Sequence, residues 1–209
     1  MIFESRAQAG TLLAQALTSY ADAVILAIPR GGVPVAYPIA QALSAPLDVC
    51  MVRKLGVPGS RELAMGAIAS PHFVVLNRIV INACHISSKA LERVLAREQQ
   101  ELARREALYR AGRAALEVAG RSVMLVDDGL ATGATMLAAI RAVRVQRVAS
   151  IIVVAPVGAP EACRVLEQYA DAVICPFRPQ PFYGVSDFYE DFPQIGDEEV
   201  QQLLSSAAR

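Results

Sequence analysis

Two adjacent carboxylates, Asp127 and Asp128, stand directly after four consecutive apolar residues at positions 123–126, and a loop of small and hydroxyl residues follows them. The apolar run has the composition of a strand buried on both faces of a parallel sheet. The carboxylates therefore fall at a strand's carboxyl end, where open α/β sheets bind ligands. Two neighbouring carboxylates can grip a vicinal diol, or a hard cation held by one. Ala131, Thr132, Gly133, Ala134 and Thr135 then lead into the helical pattern of Met136, Leu137 and Ile140. Backbone N–H groups at a helix start, with the Thr132 and Thr135 hydroxyls beside them, form a donor set suited to a dianionic phosphate. The combination is that of a sugar phosphate site, diol on the aspartates and phosphate on the loop. The plainer alternative is a polar strand end before a Thr-capped helix.

A second connection repeats the arrangement. Residues 23–28 are an apolar strand pattern, Pro29, Arg30, Gly31 and Gly32 follow, and an apolar helix pattern runs to about Leu43. Backbone donors there can face an anion while Arg30 supplies a planar charge; a glycine turn with a surface arginine is the competing reading. Residues 47–55 read as one more strand, running into Arg53 and Lys54. Lysine occurs only at Lys54 and Lys89 against eighteen arginines, so a lysine after a buried strand is an unusual choice in this chain. Strand alternation would send Arg53 and Lys54 to opposite faces.

The elements that must position these groups alternate strand and helix. After the acidic pair come a helix, a strand at 148–155, a helix at 160–169 and a strand at 172–175. The pattern predicts an α/β fold: a mainly parallel, twisted sheet with helices on both faces, right-handed crossovers and a site along the carboxyl ends of the strands. Residues 56–62 are expected as a flexible, turn-rich segment. Residues 63–68 and 73–76 can pair as short strands around Ser70 and Pro71. Ser87 or Ser88 can cap a long helix to about Arg110, with Glu101 and Arg105, and Glu106 and Arg110, four apart on its solvated face. The tail from 177 to 209 reads as an aromatic-rich loop ending in a short helix. Residues 1–209 are taken as a single domain whose hood and lid come from 1–22, 56–80 and 177–209.

Composition narrows the partners. The hydrophobic fraction is 54% and the mean hydropathy +0.37, yet no apolar run approaches the roughly 20 residues of a membrane span. The first residues lack the basic segment and apolar run of a secretion signal, so a cytoplasmic location is expected. A net charge of zero gives no global attraction to nucleic acid or membrane. Cys50, Cys84, Cys163 and Cys175 are widely spaced and read as reduced, mostly buried thiols, and His72 and His85 have no ligand spacing around them.

The run from Val126 through Asp127, Asp128, Gly129, Leu130, Ala131, Thr132, Gly133 and Ala134 to Thr135 resembles the phosphoribosyl pyrophosphate (PRPP) signature of type I phosphoribosyltransferases. Neither a Walker loop nor a Gly-x-Gly-x-x-Gly dinucleotide loop fits this spacing. The resemblance implies the same α/β core with a small hood and a flexible loop. It implies transfer of the 5-phosphoribosyl group of PRPP to a nitrogenous base, purine-like or another heterocycle, with release of pyrophosphate, a Mg2+ requirement and a homodimer. Asp127, Asp128 and Lys54 become the expected catalytic residues, with Mg2+ on the two aspartates directly or through water. Arg30, Gly31 and Gly32 resemble the pyrophosphate loop, which in that family commonly holds a strained peptide, and residues 131–135 the phosphate loop. Arg53 and Lys54 resemble the basic pair of purine-type members, Lys54 for the diphosphate and Arg53 for a carboxylate or a neighbouring subunit. Residues 56–62 resemble the mobile catalytic loop, where Glu62 is an acid–base candidate by position alone. Base recognition falls to Pro156 and Val157, which offer backbone polar groups, and to Phe182 and Tyr183. The aromatics at 182, 183, 188, 189 and 192 could equally pack against their own domain. A PRPP-binding regulator without turnover, or a hydrolase releasing pyrophosphate with no base, remains an alternative.

Overall fold

The computed structural model describes residues 2–69 and 73–207, with Arg61 and Glu62 described by their backbone alone. In chain order the elements are α1 (Arg6–Ala16), β1 (Val24–Ala27), α2 (Gly32–Leu43), β2 (Leu47–Val49), β3 (Val52–Val57), β4 (Ser60–Ala69), β5 (Phe73–Leu76), α3 (Arg78–Ala83) and α4 (Ser88–Arg110). They continue with β6 (Ser122–Val126), α5 (Ala134–Arg144), β7 (Ser150–Val154), α6 (Pro160–Leu166), β8 (Ala172–Ile174) and α7 (Asp197–Ala207).

The runs of consecutive apolar residues become the centre of a five-stranded parallel sheet in the order β2-β1-β6-β7-β8. Strand geometry sends successive side chains to opposite faces, and both faces are covered. Ile25, Ala27, Met124, Val126, Ile152 and Val154 pack with Val33, Val35, Ala36 and Ile39 of α2 and Val200 and Leu204 of α7. Val24, Leu26, Val123, Leu125, Ile151 and Val153 pack with Met136, Ile140 and Val143 of α5 and Cys163 and Leu166 of α6. The expected α/β architecture is the one observed.

The strand expected over 47–55 is two strands. Cys50 donates its N–H to the Ala27 carbonyl and ends β2; the chain then leaves the parallel sheet, and β3 opens an antiparallel sheet in the order β3-β4-β5. Cys50 and Met51 are both buried and apolar, so nothing in the residue pattern marks the break. Lys54 consequently lies within β3 rather than after a buried strand. The segment at 56–62, expected as a loop, is the end of β3, a Pro58-Gly59 turn and the start of β4. Gly59 takes φ +85° after Pro58, the pairing such turns favour. The expected pairing of 63–68 with 73–76 is present, from Gly66 opposite Leu76 to Ala69 opposite Phe73. The Ser70-Pro71 break and His72 lie outside the described residues.

Ser87 caps α4 by accepting from the Ala90 N–H at 3.3 Å. Glu101 pairs with Arg105 as expected, and with Arg104; Glu106 also pairs with Arg110, but that arginine is turned inward onto buried Asp48 rather than lying on the solvated face. Cys50, Cys163 and Cys175 are buried free thiols and Cys84 is half-buried. The N-terminal segment and the tail join directly: the Phe3 N–H donates to the Phe188 carbonyl and the Phe3 carbonyl accepts from Glu190. Phe3, Ala9, Val157 and Tyr189 form the buried centre of a third, largely aromatic cluster beside the sheet's carboxyl edge. Among the described residues no helix is long and apolar enough to cross a membrane.

Candidate functional site

β1 and β6 are adjacent and parallel, so the loops that leave their carboxyl ends must share one corner. That corner brings the two sequence motifs together. A Cβ placed on Gly31 would lie 2.0 Å from Asp128 Oδ2, and one on Gly32 would lie 2.4 Å from the Val126 carbonyl oxygen and 3.0 Å from Asp127 Cα. Only glycines allow the Arg30 loop to approach the acidic pair this closely. The Pro29–Arg30 peptide is cis.

The two carboxylates have different surroundings. Asp127 Oδ1 accepts the Asp128 N–H at 2.9 Å. Burial, and then the neighbouring Asp128 charge, push the Asp127 carboxyl well above the usual carboxylate range. Asp128 instead meets a cation, the Arg6 Nε at 2.8 Å from Oδ2, and its backbone carbonyl accepts the Tyr189 hydroxyl at 2.6 Å. The phosphate-loop residues Ala131, Thr132, Ala134 and Thr135 are exposed. Gly133, at φ +73°, is the N-cap of α5, and Thr132 Oγ1 accepts the Ala134 N–H at 3.4 Å. The opening amides of α5 belong to the set that helix geometry leaves without intrahelical acceptors. A loop of exposed small residues over such amides can receive a phosphate.

Arg30 is about one-third exposed and lies 3.7 Å from Asp197 Oδ1, at the start of α7. The Tyr109 hydroxyl donates to the same oxygen at 2.6 Å. Arg53 Nη2 lies 2.6 Å from Glu98 Oε2, so Arg53 has the carboxylate partner the sequence suggested. Lys54 is exposed on β3, in a cavity of about 610 Å³ lined by Val52, Arg53, Gly56, Arg97, Glu98 and Glu101. Arg53 and Lys54 thus share one cavity with Glu98, whereas Arg30, Asp127 and Asp128 belong to the loops after β1 and β6.

The expected base contacts separate. Val157 is fully buried and its carbonyl accepts the Leu130 N–H at 3.0 Å; Pro156 is buried beside it. The Val157 side chain is therefore closed to solvent and its carbonyl is engaged by Leu130. Phe182 stacks on Phe188 at 5.4 Å, Phe188 meets Phe177 edge-on at 5.5 Å, and Tyr189 meets Phe192 at 5.0 Å. These rings pack on one another, the second of the two readings open to the sequence. Tyr183, 86% exposed, is placed differently.

Sequence reasoning missed Arg6, Tyr109 and Asp197, and weighed Tyr189 only as a ring for a base or for the core, not as a donor to Asp128. Arg6 and Asp128 are 122 positions apart, and one arginine among eighteen carries no local mark of its role. Among the described residues no group of three or more His, Cys, Asp or Glu could enclose a metal. The acidic pair alone suits a magnesium ion that keeps waters and shares ligand oxygens, the usual protein site for that ion.

A family model described as the phosphoribosyl transferase domain matches residues 2–192. Two Mycobacterium tuberculosis proteins whose names carry the words phosphoribosyl transferase, Rv0571c of strain H37Rv and MT0597 of strain CDC 1551, are each 40% identical over 210 residues. The match takes in 100% of this chain and 47% of each relative, so the chain spans about half their length. The crystal structure of TT1426 from Thermus thermophilus superposes with a TM-score of 0.88 at 39% identity, covering 99% of both chains. A purine phosphoribosyltransferase from Pyrococcus horikoshii shares the fold, with a TM-score of 0.51 at 18% identity over 90% of each chain.

Proposed function

The chain belongs to the phosphoribosyl transferase family, and from that premise we propose that it transfers the 5-phosphoribosyl group of PRPP to a nitrogenous base and releases pyrophosphate. The observation that carries this reading is the contact of the Gly31 loop with the Asp128 carboxylate, beside the open first turn of α5. Diphosphate, diol and monophosphate would then lie along one corner of the sheet.

In this reading Asp127 and Asp128 orient the ribose and favour the positive charge that develops at its carbon 1. Arg30 and the backbone of Gly31 and Gly32 receive the diphosphate, and Ala131, Thr132, Gly133, Ala134 and Thr135 the 5-phosphate. The bond from carbon 1 to the diphosphate oxygen breaks, pyrophosphate leaves with the electron pair, a bond to the base nitrogen forms, and the nitrogen's proton passes to water. Magnesium, held by Asp127 and Asp128 directly or through water, would supply charge neutralisation for the leaving group. Lys54, exposed on β3, is assigned to the diphosphate as well. No dedicated base for the nitrogen's proton is assigned; the Glu62 side chain lies outside the described residues. Tyr183 is the ring available to stack on the acceptor, while Pro156, Val157 and Phe182 shape the wall behind it. We read residues 1–209 as one phosphoribosyltransferase-like unit in which 1–22, 56–80 and 177–209 form the hood, acting as a cytoplasmic homodimer in nucleotide metabolism.

The test is pyrophosphate release from PRPP and magnesium, with and without a panel of purine, pyrimidine and pyridine bases, using Asp127→Asn/Asp128→Asn as the blank. Release that depends on one base is expected and names the acceptor. Tight PRPP binding without release from any base would replace the reading with a PRPP-binding regulator, and release without base with a hydrolase.

A further inference from the structure

Arg6 opens α1 and lies far from every sequence motif, yet it is among the most deeply held polar side chains of the site. Its side chain is 8% exposed and that of Asp128 16%. Nε meets Asp128 Oδ2 at 2.8 Å, Nη1 donates to the Pro193 carbonyl at 2.8 Å, and the guanidinium carbon sits 3.6 Å above the Phe192 ring. Tyr189, tilted against both Phe3 and Phe192, donates to the Asp128 carbonyl from the same side. Gly31 presses on Asp128 Oδ2.

Such an arginine has exchanged water for fixed geometry, and its effect falls on one oxygen. Oδ2 is bound by Arg6 Nε and is the carboxylate oxygen nearer Gly31, so the clamp fixes which edge of the carboxylate is turned to that loop. The terminal torsion of an aspartate is otherwise broad and two-fold. Without the clamp, either oxygen would present itself, and ligand binding would have to order the group.

We propose that Arg6 is a positioning residue: it fixes the Asp128 carboxylate in one orientation for the ribose diol, and it ties the acidic pair to α1 and the aromatic tail. The identity of the ligand rests on the function proposed above; the placement of Asp128 does not. Because Asp128 would grip the ribose both before and during transfer, loss of Arg6 falls on PRPP binding more than on the chemical step.

The experiment uses the whole chain with Arg6→Met and Arg6→Lys, read by crystallography, by calorimetry with PRPP and magnesium, and by steady-state kinetics. In Arg6→Met the Asp128 carboxylate is expected to rotate off Gly31, and Kd and KM for PRPP to rise about tenfold with kcat within about threefold. Arg6→Lys, which keeps the charge but cannot hold Asp128 and Pro193 together, is expected to recover part of the loss. A purely structural Arg6 would lower the folded fraction and the apparent kcat while leaving Kd and KM unchanged; that outcome overturns the proposal. An unmoved Asp128 carboxylate in Arg6→Met overturns it too, even if the wild-type chain binds no PRPP, a result that would separately end the sugar phosphate reading. Should Arg6→Met fail to fold, an unchanged Kd and carboxylate in Arg6→Lys overturns it.

Discussion

Gly31 and Asp128 come from loops of two neighbouring parallel strands and meet so closely that a Cβ on Gly31 would lie 2.0 Å from Asp128 Oδ2. No real Cβ tolerates that distance, and the carboxylate it displaces is itself clamped by Arg6. Gly31→Ala should therefore push Asp128 out of place. We expect a stability loss of about 1–3 kcal/mol, as for other overpacked sites, and PRPP binding weakened by at least about tenfold. Denaturant unfolding and calorimetry on the same preparation check both; an alanine that folds and binds like wild type would show that the two loops do not share one ligand.

Asp127→Asn should separate stability from function. The partly buried Asp127 carboxyl lies beside another carboxylate and is pushed well above its ordinary range, so the fold favours its protonated form. That stabilisation is fully present at acid pH and is lost as pH rises through the raised value, so ionised Asp127 costs stability in more alkaline solution. Asparagine is neutral, keeps the oxygen that accepts the Asp128 N–H, and removes the like-charge contact. At a pH above that raised value we expect a gain of about 1 kcal/mol, a rise in Tm of about 2–4 °C for a chain of this size, together with loss of PRPP binding. A thermal melt and a binding isotherm suffice, and a lower Tm would contradict the argument.

Much of the fold was legible because each central strand is a run of apolar residues, the pattern of a strand covered on both faces. The acidic pair and the phosphate loop were legible because their chemistry is local: carboxylates at a strand end, small residues at a helix start. What escaped was set by distance along the chain or by a missing contrast. The β2-to-β3 break falls at Cys50 and Met51, two buried apolar residues that look like strand. Arg6 is paired with a residue 122 positions away. The aromatic tail offered the same residue types to a base or to a core; Tyr189 is buried with Phe3 and Val157, and Phe182, Phe188 and Phe192 pack against that cluster while staying partly exposed.

The ion-pair cluster under β3 should make stability fall in acid. Burial alone would raise the Glu98 carboxyl, but bonds from Arg53 and Arg97 overturn that and hold it below its ordinary value of 4.5. A depressed carboxylate stabilises the fold above its unfolded value and loses that contribution as pH falls through the folded one. Below about pH 4.5 the wild-type chain should therefore lose stability more steeply than Glu98→Gln. At neutral pH the variant, which leaves two partly solvated guanidinium groups around a neutral amide, should be weaker by about 1–3 kcal/mol. Urea titrations across the acid range read both effects.

Tyr109 sets a corresponding limit on the alkaline side. Its ring is buried on α4, which packs on α7, and its hydroxyl donates to Asp197, the carboxylate that also faces Arg30. Burial first, and then the bond to Asp197, push its phenol from 10.0 up to about 12. A raised folded value means that the stabilisation is complete below the unfolded value and disappears as pH climbs through the folded one, so wild-type stability should fall between pH 10 and about 12. Tyr109→Phe should be weaker by about 1 kcal/mol at neutral pH, from the lost hydrogen bond, and show a flatter decline in that alkaline window. Because Asp197 loses a donor that fixes it in front of Arg30, the same variant should also alter the affinity for inorganic pyrophosphate. An unchanged alkaline slope would mean that Tyr109 ionises without disturbing α7, and that the contact between Asp197 and Arg30 stands without it.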